Sequence, residues 1–221
     1  MNIAMIPARM GSQRLKKKNL RELGGVPLIA RCIRKCKAAG CFDEIWVNSE
    51  DDEFGEIAAA EGVPFHKRPA ELANNVATSE QFVYEFFQKH ACDRMFQVHS
   101  IAPLLPAREV RAFADAMEAG GYDTMLSCTH EQIECALEGQ PVNFTFAEKT
   151  NSQELKPVQR ISWSITGWTR DVYLAACDAG QTATYSGKVG FHVIDRLGGH
   201  IIKTEEDLQI AEALLAICEG V

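Results

Sequence analysis

Residues 3–19 read IAMIPARMGSQRLKKKN. Ile3, Met5 and Ile6 predict a β-strand, and Pro7, which has no backbone N–H, ends its hydrogen-bonding ladder. The loop that follows holds Gly11, Ser12 and five cations, Arg9, Arg14, Lys16, Lys17 and Lys18, with no acidic residue before Glu22. In a chain of net charge −7, so cationic a loop beside a strand end calls for an anion, and a nucleoside triphosphate fits. Glycine lets the backbone approach phosphate oxygens, N–H groups cradle them, arginine offers a bidentate fork and lysine a point charge. Lys16 and Lys17 read as solvated or peripheral. The loop is not a P-loop, since G-x-x-x-x-G-K-[ST] is absent, and no G-x-G-x-x-G follows the first strand.

Outward from this loop the chain alternates strand-like and helix-like pieces. Pro27 suits the first turn of a helix running to about Ala39. Glu44–Asn48 predicts a strand, Asp51 and Asp52 start a helix to about Glu61, and Gly62 ends it. A short strand is expected over Val63–His66. Thr78 with Gln81 forms a capping box for a helix to about His90. Met95–His99 and Thr124–Cys128 predict strands on either side of a helix over Arg108–Ala119. Such alternation implies an α/β fold with a mostly parallel sheet flanked by helices, and ligands beyond the carboxyl ends of its strands. From Glu131 to Gly187 the periodicity weakens, and Arg160–Thr169 alternates like a half-exposed strand. We read residues 131–187 as an insertion or arm within a single domain spanning 1–221. Strands over Val189–Ile194 and Gly199–Lys203 and a helix from Glu205, capped by Thr204 and Asp207, complete the order.

Composition narrows the function classes. At 221 residues with 46% hydrophobic and 24% charged residues, the chain can bury a substantial core. No apolar run reaches the ~20 residues of a membrane span, and the N-terminus does not read as a signal peptide, because its apolar run stops at Pro7. The acidic balance argues against bulk nucleic-acid binding. Eight cysteines without a C-x-x-C pair read as buried free thiols of a cytoplasmic protein rather than disulfides or a zinc site. A hydrolase lacks support: neither G-x-S-x-G nor H-E-x-x-H occurs.

The ordered pattern P-A-R-x-G-S-x-R-x-x-x-K-N over Pro7–Asn19 resembles the opening motif of the acylneuraminate cytidylyltransferases. GGVPLIARCIRKC, FDEIWVNSEDDEFGEIAAAEG and RPAELANNVATSE are similar, in order, to that family's next three segments. The resemblance implies a GT-A-like nucleotidyltransferase fold with a dimerisation arm, hence a homodimer. It implies transfer of CMP from CTP to an acidic sugar of the nonulosonate class, such as N-acetylneuraminate, with release of pyrophosphate and with magnesium. Ala8, Arg9, Gly11, Ser12, Arg14, Lys18 and Asn19 match nucleotide-holding positions, Arg9 and Lys18 being the expected phosphate contacts. Asn75 stands where the family often has aspartate.

Later motifs depart from the family pattern. L-Q-P-T-S-P-L-R appears as VHSIAPLL, so that His99 replaces glutamine and either donates to nucleotide or substrate or caps the strand end. R-Q-x-L-P appears as SQELKP, keeping Gln153, and N-G-A-I-Y as SWSIT, placing Ser162 near the acceptor. Lys156 and Arg160 read as solvated charges of an exposed arm. I-D-I-D-T-x-x-D-L appears as HIIKTEEDL, with Ile201 and Lys203 at the two metal-holding aspartates and Asp207 as the remaining acid. Neither isoleucine nor lysine offers the oxygen that magnesium requires. Either Lys203 supplies charge where a metal sits, the metal arriving chiefly on the nucleotide, or the chain is a non-catalytic nucleotide-binding homologue. The altered acceptor region also leaves room for another acid, an octulosonate or a phosphonate.

Overall fold

The computed structural model describes residues 1–219, the side chains of residues 218 and 219 excepted, so Cys218 lies outside the described side chains. In chain order the first half runs β1 (Asn2–Pro7), β2 (Glu22–Leu23), β3 (Val26–Pro27), α1 (Leu28–Ala39), β4 (Glu44–Ser49), α2 (Asp52–Ala60), β5 (Phe65–Lys67) and α3 (Ser79–Lys89). It continues with β6 (Arg94–Val98), α4 (Ala107–Gly120), β7 (Thr124–Glu131), β8 (Ala136–Leu137) and β9 (Gln140–Pro141). The last elements are β10 (Val158–Thr169), α5 (Arg170–Asp178), β11 (Val189–Val193) and α6 (Glu205–Glu219).

Seven strands form one sheet in the order β11-β7-β10-β6-β1-β4-β5, with β10 alone antiparallel to its neighbours. β1 lies between two parallel partners, β4 and β6, and its alternate residues bury into different layers. Ala4 and Ile6 join Ile29, Ile33, Phe54 and Phe113 from α1, α2 and α4. Ile3 and Met5 join Phe86, Phe87 and Tyr173 from α3 and α5. A strand covered on both faces explains the nearly unbroken apolar run at Ile3–Ile6. The third apolar cluster docks α6, through Leu208, Ala211 and Leu215, onto Leu15, Leu23 and Leu28.

Several boundaries follow from local chemistry. Thr78 and Gln81 form the expected capping box at the start of α3. Gly62, at φ +63, turns the chain out of α2, donating to Ala59 O at 3.0 Å, while Val63 N–H donates to Ala58 O at 2.9 Å. That use of the Val63 N–H delays β5, expected from Val63, to Phe65.

Four expectations are corrected. Arg160–Thr169 belongs to an interior strand, not a half-exposed one: β10 inserts between β6 and β7, and Ser164–Trp168 are buried. Residues 158–187 therefore contribute a strand and a helix to the main body, and the excursion from it contracts to about residues 132–157, with β8 and β9 as its hairpin. Gly199–Lys203 is not a strand: Gly199 donates to Asp195 O, His200 to Leu197 O and Lys203 to the Asp207 carboxylate at 2.8 Å, while Ile202 alone among these donors reaches across the fold, to Ile101 O at 2.8 Å. Of the seven described free cysteines, Cys32, Cys36 and Cys128 are buried, while Cys41, Cys92, Cys135 and Cys177 are half-buried rather than fully enclosed. Among the described residues no helix is long and apolar enough to cross a membrane.

Candidate active site

The carboxyl ends of β1 and β6 open into a cavity of about 570 Å³. Ala8, Arg9, Ser12, Arg14, Lys18 and Asn19 line it from the basic loop, and His99 lines it from the end of β6. Asn19 is buried and braces the loop from within: its Nδ2 donates to Arg9 O at 3.3 Å, and its Oδ1 accepts from the Ser100 hydroxyl at 2.8 Å. Arg9 Nη1 donates to Asn74 O at 3.1 Å and to Asn75 Oδ1 at 3.2 Å, so Asn75 touches a lining residue but does not itself line the cavity. Gly11 is exposed and outside the lining, and a Cβ there meets nothing within 4 Å. Lys16 is exposed, and Lys17 pairs with Glu53 at 3.4 Å on the surface.

The electrostatics favour an anion. Burial pushes the Lys18 ammonium below its ordinary value, and Arg14, Arg9 and Lys203 push it the same way, against a smaller pull from Asp207. A polyanion relieves that crowding of like charge. His99 is lowered to about 4, first by burial and then by Lys18, so its ring is neutral at pH 7. Its Nε2 lies 3.1 Å from Gln97 Oε1.

Arg68 is a lining residue that the sequence reading quotes but does not single out. It is 3% exposed, donates from Nε to Asn48 Oδ1 at 2.5 Å and from Nη2 to Asn48 O and Ala8 O, and stacks 4.2 Å over Phe82. Burial lowers its guanidinium to about 10. The available signal was an arginine immediately after a short strand at the same sheet edge as the basic loop.

A second cavity, of about 580 Å³, adjoins the first at Ile101, which lines both. Lys203, Asp207 and Ser162 line it, whereas Gln153 sits on an exposed turn of the excursion and lines neither cavity. Arg160, expected as a solvated arm charge, faces this cavity from β10 and donates to Glu131 Oε1 at 3.0 Å. The Ser162 hydroxyl is buried 2.9 Å from Ser127 Oγ and 3.1 Å from Ser164 Oγ, where it pins a bulge in β10.

The donor set near Lys203 does not fit magnesium. Asp207 Oδ2 accepts from the N–H groups of Lys203 and Thr204, both at 2.8 Å, and from the Thr204 hydroxyl at 2.9 Å. Thr204 Oγ1 in turn accepts from Asp207 N–H at 3.2 Å, closing a capping box at the start of α6. Burial pushes the Asp207 carboxyl up, but these hydrogen bonds outweigh it and hold it below the usual range. The carboxylate is thus engaged by the helix start rather than presented to a metal. Among the described residues no group of three His, Cys, Asp or Glu side chains could hold a metal ion.

Fold and cavity together define an α/β domain with a cationic ligand site at the carboxyl edge of its sheet. Residues 3–163 match the family model described as cytidylyltransferase, and the chain belongs to that family. An N-acylneuraminate cytidylyltransferase of Escherichia coli is 32% identical over 160 residues, covering 72% of this chain and 35% of that one. A pseudaminic acid cytidylyltransferase of Campylobacter jejuni is 36% identical over 111 residues, covering 47% of each chain. The matches thus span about a third to a half of these relatives' length. Among solved structures, a CMP:2-keto-3-deoxy-manno-octonic acid synthetase complexed with CTP superposes with a TM-score of 0.71 at 18% identity, covering 98% of both chains. A 4-diphosphocytidyl-2C-methyl-D-erythritol synthase of Anaerococcus prevotii gives 0.70 at 14% identity, covering 97% of both. These two likenesses establish the fold.

Proposed function

We propose that this protein transfers CMP from CTP to an acidic sugar and releases pyrophosphate. The observation that carries the reading is the first cavity, where a cytidylyltransferase-family chain gathers Arg9, Arg14 and Lys18 at the ligand edge of its sheet. In the reaction an acceptor hydroxyl oxygen attacks the α-phosphorus of CTP. A new P–O bond forms, the bond to the bridging oxygen breaks, pyrophosphate leaves, and the hydroxyl proton passes to solvent. Arg9 and Lys18 bind and align the triphosphate and stabilise charge on the leaving group, Lys203 adds charge from the neighbouring cavity, and neutral His99 offers an uncharged polar contact. Magnesium, when present, neutralises phosphate charge; with no fitting donor set around Lys203, it enters chiefly on the nucleotide.

The class of acceptor rests on the relatives, which are named for acylneuraminate and pseudaminic acid. The octonic acid synthetase with the same fold keeps an octulosonate in view, and a phosphonate belongs to the same acceptor screen. A second reading, a nucleotide binder without catalysis, is favoured by one observation: Asp207 is committed to a helix cap and Lys203 stands beside it. We read residues 132–157 as a homodimerisation arm, supported by the exposed apolar side chains Ile133, Leu137, Val142 and Phe146. Free thiols support a reducing, cytoplasmic setting.

Calorimetric titration with CTP, with and without magnesium and beside ATP, GTP and UTP, tests the nucleotide half. Selective CTP binding is expected, and a folded protein indifferent to CTP in both conditions overturns the reading. Pyrophosphate release with CTP and a panel of sugar acids then separates enzyme from binder.

A further inference from the structure

Between α1 and the segment 103–107 lies a further cavity of about 630 Å³, which shares no lining residue with the two described above. Arg31, Arg34 and Lys35 line it from one face of α1, and none of its lining residues is acidic. Like charges three and four residues apart on a helix repel one another. In a chain of net charge −7, a cavity walled in this way is short of an anion.

The shortage centres on Lys35. Arg34 is answered by Glu61, which accepts from its Nε at 3.0 Å and its Nη2 at 2.7 Å, and Arg31 donates from Nε to Leu23 O at 2.6 Å. Lys35 is 8% exposed, and its Nζ donates to Ala102 O at 2.6 Å; among the described residues no carboxylate pairs with it. Burial pushes its ammonium below the ordinary value, against smaller pulls from the Cys32 and Cys36 thiols. Buried charges are ordinarily paired, and an ammonium carries three donors. One carbonyl meets that demand only in part.

The same carbonyl links this cavity to the first. Ala102 O also accepts from Leu105 N–H at 3.3 Å, and Ala102 N–H donates to His99 O at 3.2 Å. His99, Ser100 and Ile101 line the first cavity, while Pro103 and Leu105 line this one. A single loop, 99–105, is therefore a wall of both, and Lys35 pins its middle.

We propose that this cavity is an effector site for a phosphoryl anion held by Lys35, Arg31 and Arg34, and that its occupant weakens nucleotide binding through the loop 99–105. Two guanidinium forks and an ammonium suit the three oxygens of a terminal phosphoryl group better than the two of a carboxylate. Ala38, Pro103 and Leu105 give an apolar wall for the carbon part of a phosphate ester. The sign follows from the geometry. An anion here draws the Lys35 ammonium away from Ala102 O and adds negative charge across the loop from a triphosphate. The site stands without the CMP-transfer reading; the linkage alone rests on it.

Calorimetric titration with inorganic phosphate, pyrophosphate and glycerol 3-phosphate tests the site, and the three probes separate a free ion from an ester. At least one is expected to bind the wild type, and to bind Arg9→Ala, altered in the first cavity, almost as well. Lys35→Met keeps the length of the side chain and should weaken that binding by about tenfold or more, as for loss of a hydrogen bond to a charged group. Ala38→Glu sets a carboxylate among the same cations from an exposed helix position and should weaken it as much. Ala38→Gln, equal in size and uncharged, should bind far better than Ala38→Glu. Should Lys35→Met fail to fold, the Ala38 pair decides. A saturating concentration of the bound anion should weaken the α,β-methylene analogue of CTP by about fivefold or more in the wild type, the low end of coupling between sites, and should have no such effect in Ala38→Glu. Absence of binding by all three anions, or binding that survives Ala38→Glu or disappears in Arg9→Ala, overturns the site. An anion that binds here and leaves the analogue's affinity unchanged overturns the linkage. If the analogue itself does not bind, the CMP-transfer reading falls with the linkage, and the titrations without nucleotide still decide the site.

Discussion

Arg68 donates from Nη2 to the carbonyl oxygen of Ala8 at 3.1 Å, tying a buried guanidinium to the first residue beyond β1. The same nitrogen reaches Asn48 O at 2.7 Å, so one side chain fastens the ends of two neighbouring strands where the basic loop departs. The guanidinium thus helps to set where Arg9, the next residue, leaves the sheet.

Removing it should loosen both fold and site. Arg68→Met keeps much of the packing against Phe82 but leaves Asn48 Oδ1 and Ala8 O without this donor. A loss of about 2–4 kcal/mol is expected, given the cost of unpaired buried polar groups. Urea denaturation measures it, and CTP affinity should fall in the same variant. A stability change under ~0.5 kcal/mol would show that the guanidinium does not brace the strand ends.

Arg9 contributes little to the fold and, on the CMP-transfer reading, holds the ligand instead. Its two contacts to Asn74 and Asn75 are exposed and long, at 3.1 and 3.2 Å. Arg9→Ala should therefore leave the melting temperature nearly unchanged while weakening CTP by roughly 1.5–3 kcal/mol, the scale of a charged hydrogen bond. Asn75→Ala, which removes only a brace, should have the smaller effect. Equal CTP affinity in Arg9→Ala and wild type would take the basic loop out of the site.

Acid should destabilise the protein in a defined window. His99 and His90 both fall from 6.5 to about 4, each by burial first and then by a neighbouring cation or imidazole. Their folded forms exclude a proton that the unfolded chain accepts. Stability is full above pH 6.5 and declines as pH drops toward 4, by up to about 3 kcal/mol for His99 and by well under that for the half-buried His90, whose shift solvent screens. Denaturation midpoints across that range check the slope, and His99→Gln should flatten part of it. Triphosphate binding adds negative charge beside His99 and should raise its titration midpoint, which ring-proton NMR reads directly.

What the sequence discloses is what local chemistry decides. The strand-and-loop reading of residues 3–19 needs only an apolar run, a proline and a cluster of cations, and the capping box of α3 needs only Thr78 and Gln81. The burial of β10 depends on which strands flank it, and those neighbours, β6 and β7, come from well upstream in the chain. Gly199–Lys203 looks like a strand by composition, but Asp207, four residues beyond its end, claims the Lys203 N–H. Arg68 and Arg196 are ordinary surface-type residues in the sequence; one turns inward onto Asn48 and the other lines a cavity closed by a distant bulge. No short-range pattern states either fact.

The excursion at 132–157 offers a test of assembly. Phe146 is 76% exposed and Leu137 69%, in a segment outside the main sheet. Self-association through this segment should bury them. Sedimentation of the wild type is expected to give a dimer, and the double variant Leu137→Asp and Phe146→Asp a monomer with an unchanged melting temperature per chain. A wild-type monomer at micromolar concentration would end the dimer reading.

Lys203 stands at the boundary between the cavities, close enough to Lys18 to push that ammonium's proton affinity down. On the CMP-transfer reading, the two lysines together would supply the triphosphate with protein-borne positive charge. Reversing one of them changes the balance in a predictable direction. In Lys203→Asp, a carboxylate repels free CTP but supplies a hard oxygen ligand when magnesium accompanies the nucleotide. CTP affinity in EDTA should fall by about tenfold or more, as expected for reversing a charge near phosphate in a partly screened site, and should recover as magnesium is added. The wild type should change far less over the same titration. Thr204 and the Asp207 cap remain in place in the variant, so α6 should keep its stability and any loss of affinity reports on charge. Superimposable magnesium titrations for the two proteins would place Lys203 outside the reach of the phosphates.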